Sequence, residues 1–145
     1  FIEQPFGAVQ LQESRLLSKN SSLPIIADES CRKIEDIKKC KESFDGINIK
    51  LSKCGGLTPA FLMMKMAREA RLHIMIGCMT ESTVGISAAA QLLPFVDYAD
   101  LDGPLLLSED VASGLTYKNG SLIPGKGNGL GFDFKGRKFI QPLPD

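Results

Sequence analysis

Charged and thiol side chains recur where short apolar runs of this sequence end. The runs end in Glu3, in Asp28 with Glu29, in Lys50 with Lys53, in Cys78 to Glu81, and in Asp100 with Asp102. Carboxylates that meet at one place repel one another and need a cation, and oxygen ligands favour a hard ion such as Mg²⁺. A lysine beside them could transfer a proton, because burial and nearby positive charge would lower its pKa.

The apolar runs indicate strands that would bring these residues together. Strand-like composition begins about every 25 residues, which leaves room for one helix and two short loops in each interval. We predict strands at residues 1–4, 23–27, 46–50, 73–78 and 98–102. Repeated strand–helix alternation implies a parallel sheet, and βα barrels build their active sites at the carboxyl ends of such strands.

Three helices have recognisable start signals. They are a helix capped by Ser30 with Ile34, Ile37 and Cys40 along one side, a helix from Thr58 and Pro59 to about Leu72, and a helix capped by Ser82 or Thr83 that ends before Pro94. Met63, Met64 and Met66 in the second helix are typical of core packing. Residues 103–145 are rich in Gly and Pro, and we predict hairpins at 117–121 and 133–137.

The predicted fold class is α/β, with residues 1–103 as part of a (β/α)8 barrel and residues 104–145 as a C-terminal segment that packs on it. Five strands are too few to close an eight-stranded barrel, which usually takes about 250 residues. We therefore expect the chain to be a portion of a longer polypeptide that starts at strand four.

Composition excludes several other classes of function. The 145 residues include 17 basic and 17 acidic side chains, so there is no electrostatic reason to expect nucleic acid or an anionic membrane as a partner. The four cysteines form no Cys-x-x-Cys pair, which favours reduced thiols and a cytoplasmic protein. His73 is the single histidine. The glycine-rich residues 124–131 fit neither common phosphate-binding motif, so we expect no nucleotide there.

Three motifs resemble the muconate-lactonizing subgroup of the enolase superfamily, over about residues 1–131. Glu3 in Phe-Ile-Glu-Gln-Pro resembles its fourth-strand metal ligand, and Asp28 in Ile-Ala-Asp-Glu-Ser its fifth-strand ligand, with Glu29 beside it. Lys50 begins a match to Lys-x-x-Lys-x-Gly-Gly, whose first lysine is the acid/base. The resemblance implies Mg²⁺ held by Glu3 and Asp28, proton transfer by Lys50, and a cap domain against which the C-terminal segment packs.

Asp100 and Asp102 narrow the resemblance to the dipeptide epimerases. Residues two apart in a strand face the same way, so both carboxylates would face one pocket and suit a substrate ammonium. In dipeptide epimerases an Asp-x-Asp at the eighth strand holds the free amino terminus. Cys78, at the preceding strand end, is expected to line the same pocket. The resemblance implies epimerisation of an Ala-Glu-like dipeptide at the carbon alpha to its carboxylate, by a homo-oligomer.

The family pattern also requires residues that this sequence does not contain. A second lysine base and a third metal ligand are expected upstream of Phe1, and without them we expect no activity from this chain alone. Two alternatives stay open at this point. One is another enzyme of the subgroup, such as an N-acyl amino acid racemase or a cycloisomerase. The other is a non-catalytic barrel portion that serves in assembly.

Overall fold

The computed structural model describes residues 1–136, in which short strands alternate with helices. In chain order these are β1 (Ile2–Glu3), α1 (Leu11–Asn20), β2 (Ile25–Ala27), α2 (Ile37–Cys40), β3 (Gly46–Lys50), α3 (Leu51–Cys54), α4 (Leu57–Glu69), β4 (His73–Gly77), α5 (Thr83–Ala90) and β5 (Tyr98–Ala99). Shorter strands follow: β6 (Ala112–Ser113), β7 (Thr116–Lys118), β8 (Ser121–Ile123) and β9 (Asp133–Phe134). All five strands predicted before residue 103 are present, and four of them are shorter than predicted.

Strands β1 to β5 form one parallel sheet in sequence order. Glu3 lies beside Ile26, and Lys50 lies beside Gly77. The sheet curls strongly. Its two edges come close together, since the ring centroids of Phe1, just before the first strand, and Tyr98, in the last strand, are only 4.8 Å apart. A parallel sheet that curls in this way, with each strand beside its successor in the chain, confirms the predicted α/β barrel portion.

The two faces of the sheet carry different residues. One face packs on the helices through Ile25, Ile47, Ile49, Ile74 and Ile76, which belong to one buried cluster. The alternate residues point to the opposite, concave face, as strand geometry requires. Ile26, Asn48 and Met75 there are also buried. Burial on both faces explains why the strands appear as continuous apolar runs, and the concave face is the one that carries the polar strand ends.

Helix α4 begins at Leu57, just before the predicted cap Thr58, and ends at Glu69. Gly55 and Gly56 precede it with φ of 98° and 114°, which lets the chain turn sharply between α3 and α4. The buried side of the helix consists of Ala60, Met63, Met64 and Ala67. The prediction of core methionines is therefore confirmed for Met63 and Met64 and is wrong for Met66, which lies on another side of the helix and is 39% exposed.

The predicted helix cap at Ser30 is wrong. The Ser30 hydroxyl instead donates to the carbonyl of Ala8 at 2.9 Å and accepts from the Gln4 amide at 3.0 Å. These bonds tie Ser30 to the end of β1, so it is not available to a helix. A short 3-10 turn at Ile34–Asp36 leads into α2.

Helix α5 begins after Ser82, but the side chain of Ser82 makes no capping bond. Asp110, which is 27 residues further along the chain, caps the helix instead, because its carboxylate accepts from the main-chain N–H of Thr83 at 2.8 Å. The same carboxylate also accepts from the main-chain N–H of Ala112 at 3.2 Å. Burial raises the pKa of Asp110, but these hydrogen bonds outweigh it and hold the pKa below its usual value. The segment after residue 103 thus contributes to a helix of the barrel portion.

The predicted hairpin at 117–121 is present as β7 and β8, with Asn119 and Gly120 in the left-handed conformation that such a turn requires. The hairpin predicted at 133–137 reaches Arg137, which lies outside the described residues. Up to residue 136, Asp133–Phe134 pairs with β6. The domain boundary at residue 103 stays a prediction. None of the helices within residues 1–136 has the length and apolar character needed to cross a membrane.

Candidate active site

Three charged side chains meet at the carboxyl ends of β2 and β3. Lys50 ends β3, and its Nζ lies 2.9 Å from Oδ2 of Asp28, which follows β2. Lys53, one turn later in α3, contacts Oδ1 of the same carboxylate. Only 8% of the Asp28 side chain and 13% of each lysine side chain are exposed. Asp28 is therefore bound on both oxygens by positive charge.

Lys53 pairs with Asp28, although Glu29 is the next residue along the chain and carries the same charge. Lys53 follows Lys50 by three residues on a helical turn, and residues at this spacing lie on one side of a helix. Both ammonium groups thus reach the same buried carboxylate, whereas Glu29 is exposed. The Asp28 carboxylate is therefore the shared ion-pair partner of both lysines.

The pKa of Lys50 is shifted in the direction opposite to that expected for a lysine base. Burial lowers the pKa of Lys50, but the hydrogen bond to Asp28 and the charges of Asp28, Glu3 and Glu29 outweigh it, so the pKa lies above its usual value. Burial raises the pKa of Asp28, and the hydrogen bonds and charges of Lys53 and Lys50 bring it below its usual value. The expected lowering of the Lys50 pKa is absent in this arrangement, because the negative charges of the neighbouring carboxylates outweigh burial.

Glu3, at the end of β1, is held by a neutral partner. Its Oε1 accepts a hydrogen bond of 2.6 Å from the side-chain amide of Asn48, which lies two strands away on the concave face. Asn48 is two residues before Lys50 in β3, so both side chains project from the same face. Glu3, Asp28 and Lys50 are therefore joined into one polar row by direct hydrogen bonds and by strand geometry.

The side chain of Gln4 holds the main chain of the loop that begins with Asp28. Its Oε1 accepts from the N–H of Asp28 at 2.9 Å and of Ser30 at 3.1 Å. Its Nε2 donates to the Ser30 hydroxyl at 3.0 Å and to the Phe6 carbonyl at 2.8 Å. The amide is thus bonded at both ends, and it ties the end of β1 to the loop after β2.

The carboxylates of Glu3 and Asp28 fit part of a Mg²⁺ site. Within residues 1–136, no group of three His, Cys, Asp or Glu side chains is placed to hold a metal ion. Mg²⁺ is commonly bound by one or two carboxylates, with water or substrate oxygens as the remaining ligands, so two oxygen donors on one face suit it. A metal bound to Asp28 would add its positive charge to that of the two ammonium groups beside this carboxylate.

A second acidic group lies where β4 and β5 end. The Sγ of Cys78 is 3.9 Å from Oδ1 of Asp102. Burial raises the pKa of Cys78, and the charges of Asp100, Asp102 and Glu81 raise it further against an opposing bond from the Gly103 N–H. The site thus holds Cys78 as a neutral thiol among acids.

The prediction that Asp100 and Asp102 extend one strand is wrong. Strand β5 ends at Ala99, and Asp102 adopts φ −88° and ψ 0° as it leads into a 3-10 turn at Gly103–Leu106. Both aspartates nevertheless line one cavity of about 400 Å³, together with Tyr117 of β7. The Tyr117 hydroxyl donates to the carbonyl of Leu101, between the two aspartates, at 2.6 Å. Burial and the neighbouring acids raise the pKa of Tyr117 to about 12.

Glu81 joins two loops at the rim of the site. Its Oε1 accepts from the Ser52 hydroxyl at 3.2 Å and from the main-chain N–H of Met79 at 3.1 Å.

Another cavity, of about 450 Å³, lies between α4 and residues 94–96, and none of its lining residues is a strand-end carboxylate or lysine. The side chains that the sequence predicts to do chemistry thus lie at the concave strand ends and not in that cavity.

Sequence reasoning missed Gln4, Asn48 and Tyr117. Asn48 had a usable signal, because it precedes Lys50 by two residues in a predicted strand and so shares its face. Gln4 is next to a predicted metal ligand, but its bonds depend on how the loop after β2 folds back. Tyr117 comes from a hairpin whose position on the barrel portion has no local signal.

Known proteins with a similar sequence include epimerases and a racemase, all of which are isomerases. The family described as enolase C-terminal domain-like matches residues 1–138. The L-Ala-D/L-amino acid epimerase of Flavobacterium johnsoniae is 53% identical over 131 residues, which are 90% of this chain and 39% of that protein. The L-Ala-D/L-Glu epimerase of Bacteroides thetaiotaomicron is 44% identical over 130 residues, 87% of this chain and 34% of that protein.

A solved structure agrees with these sequence matches. The dipeptide epimerase from Methylococcus capsulatus, complexed with Mg and the dipeptide L-Arg-D-Lys, superposes with a TM-score of 0.85 at 38% identity, over 92% of this chain and 40% of that one. The chain thus spans 34% to 40% of the length of these three relatives. On its motifs, its curled parallel sheet and these similarities, the chain belongs to the enolase superfamily, in the enolase C-terminal domain-like family.

Proposed function

We propose that this chain is the part of a Mg²⁺-dependent dipeptide epimerase that carries two metal ligands, one base and the site for the substrate ammonium. The observation that carries the proposal is the buried cluster in which Lys50 lies 2.9 Å from Asp28, on the face that also presents Glu3. Carboxylates and a lysine at adjacent strand ends provide oxygen ligands and a proton carrier a few ångströms apart.

In the proposed reaction Glu3 and Asp28 hold Mg²⁺, which supplies positive charge to the substrate carboxylate and so makes the alpha proton more acidic. Lys50 removes or returns that proton on one face of the alpha carbon. Lys53 keeps a positive charge beside Asp28 and limits repulsion between the site and the substrate carboxylate. The base for the opposite face and a further metal ligand are assigned to the part of the protein that this chain does not include.

Asp100 and Asp102 bind the free amino terminus of the dipeptide in this proposal. Both line one cavity, and their charges favour an ammonium over a neutral acyl group. Cys78 contacts Asp102 as a neutral thiol but is not one of the residues that line this cavity. An N-acyl amino acid has no α-ammonium, so these two carboxylates favour dipeptides over the substrates of N-acyl amino acid racemases.

The test uses the complete protein with Mg²⁺. It is incubated with L-Ala-L-Glu or with an N-succinyl amino acid, and the epimers are resolved by chiral chromatography. We expect faster epimerisation of the dipeptide, loss of activity in Asp28→Asn, and retention of activity in the exposed acidic control Glu35→Gln. Preference for the N-succinyl compound would reassign the substrate, and absence of turnover with either compound would reject the function.

A homo-oligomeric state and a cytoplasmic location remain predictions from the sequence. Light scattering of the complete protein and fractionation of the cells that produce it test them directly.

A further inference from the structure

Asn48 is a buried polar residue that the proposed reaction does not yet use. Only 1% of it is exposed. Its amide nitrogen donates to Glu3 Oε1 at 2.6 Å, and its Oδ1 has no hydrogen-bond partner among residues 1–136. The orientation of the amide follows from chemistry, because an ionised carboxylate only accepts hydrogen bonds and therefore faces the NH₂ group.

The neighbouring strand leaves room for this amide. A Cβ on Gly77 of β4 would lie 2.5 Å from Oδ1 and 2.6 Å from Nδ2 of Asn48. Both distances are far shorter than any tolerable contact, so the amide lies directly against the main chain of Gly77. A side chain at that position would push Asn48 off Glu3, and the amide is therefore fixed on one side by main chain and on the other by a carboxylate.

A neutral donor is the partner that a metal-binding carboxylate at this place needs. Asp28 already has two ammonium groups, and a third one on Glu3 would oppose the entry of a divalent cation. An amide holds one carboxylate oxygen without adding positive charge, and it leaves the other oxygen free. Partners that orient metal ligands in this way change metal affinity by about 10- to 100-fold when they are removed.

We propose that Asn48 is a positioning residue that orients the Glu3 carboxylate for Mg²⁺. Its amide holds Oε1, so that Oε2 is presented to the metal in one orientation, and Gly77 provides the space in which the amide lies. This inference rests on the proposed function, because it takes Glu3 as a metal ligand.

The experiment compares the complete wild-type protein with Asn48→Ser and Asn48→Leu. The serine is too short to reach Glu3 but keeps a polar group, and the leucine keeps the volume without a donor. The control is Met75→Leu, which changes the buried residue beside Asn48 on β4 and leaves the amide intact. The readouts are calorimetric titration with MgCl₂ alone, the rise in Tm with Mg²⁺, and kcat against Mg²⁺ concentration.

We expect both Asn48 variants to bind Mg²⁺ about 10- to 100-fold more weakly, with a smaller rise in Tm, and kcat of Asn48→Ser to recover at high Mg²⁺. Unchanged Mg²⁺ affinity in either folded variant, or an equal loss in Met75→Leu, would overturn the inference. If Asn48→Leu does not fold, Asn48→Ser alone decides. A wild-type protein that binds no Mg²⁺ would instead reject the proposed function, so the two failures are distinguishable.

Discussion

The side-chain oxygen of Gln4 accepts a hydrogen bond from the main-chain N–H of Asp28 at 2.9 Å. Through this bond the residue after one proposed metal ligand holds the backbone of the other. Gln4 itself has φ of 36°, in the left-handed region that residues other than glycine rarely adopt, at a cost of about 1 kcal/mol or more. The hydrogen bonds of its amide offset that strain, which indicates that the link between Glu3 and Asp28 is specified by the fold.

Replacing Gln4 by Ala should therefore weaken both stability and metal binding. The change leaves the N–H of Asp28 and the buried Ser30 without their acceptor, and unsatisfied buried donors cost about 1 to 3 kcal/mol. We expect the free energy of unfolding of the complete protein to fall by about 2 kcal/mol and its Mg²⁺ affinity to fall as well. Urea unfolding and calorimetric titration measure the two effects. The exposed Gln12→Ala on α1 is the control, and an equal loss there would remove the role assigned to Gln4.

Lys50→Ala should abolish epimerisation in the complete protein, while exchange of the alpha proton survives for one of the two substrate epimers. In the proposed reaction Lys50 acts on one face of the alpha carbon, so the base assigned to the other face can still remove the proton of one substrate epimer. Exchange with D₂O, followed by NMR, should persist for that epimer and vanish for the other. Exchange lost equally for both would indicate a metal or folding defect. Exchange retained for both would pass the role of base to Lys53, the other lysine at Asp28.

Asp102→Asn should discriminate between substrates with and without a free amino terminus. A charge-assisted hydrogen bond from an ammonium to a carboxylate contributes about 1.5 to 3 kcal/mol, and an N-blocked analogue does not gain it. We expect KM for the dipeptide to rise at least tenfold, with a much smaller rise for the blocked analogue. Steady-state kinetics on the two compounds provide the measurement. Equal losses on both would mean that Asp102 has a structural role only.

Asp97→Asn should lower stability at neutral pH and lose its effect in acid. The Asp97 carboxylate accepts from Arg68 and from the main-chain N–H of Ile74, each at 2.7 Å. Burial raises its pKa, but these bonds outweigh it and place the pKa below the ordinary 3.8. A carboxylate with a depressed folded pKa stabilises the fold above its unfolded pKa, and this contribution disappears as the pH falls through the folded pKa.

Unfolding midpoints of the complete protein in urea test this at about pH 7 and about pH 3. We expect the variant to be less stable by about 1 kcal/mol at the higher pH, a modest figure because the ion pair is partly exposed. The difference between the two proteins should narrow at the lower pH. A difference that is the same at both pH values would show that the charge of Asp97 is not the cause.

The strand ends that carry the chemistry could be predicted from the sequence, since a polar residue after a continuous apolar run indicates the carboxyl end of a buried parallel strand. Glu3, Asp28 and Lys50 all lie at such positions. The spacing between runs likewise predicted one helix per strand and a parallel sheet. Local rules were less reliable at helix starts, where Ser30 and Ser82 have the right chemistry for a cap but do not provide one.

The sequence by itself determined the parallel sheet and the strand-end residues, because alternation and run length are properties of neighbours along the chain. Tertiary structure alone decided the pairings: Lys53 with Asp28, Asn48 with Glu3, Gln4 with the loop after β2, and Asp110 with α5. These bonds join residues 24 to 45 positions apart. Each depends on how a curled sheet brings separate strand ends within a few ångströms, a distance that no local pattern encodes.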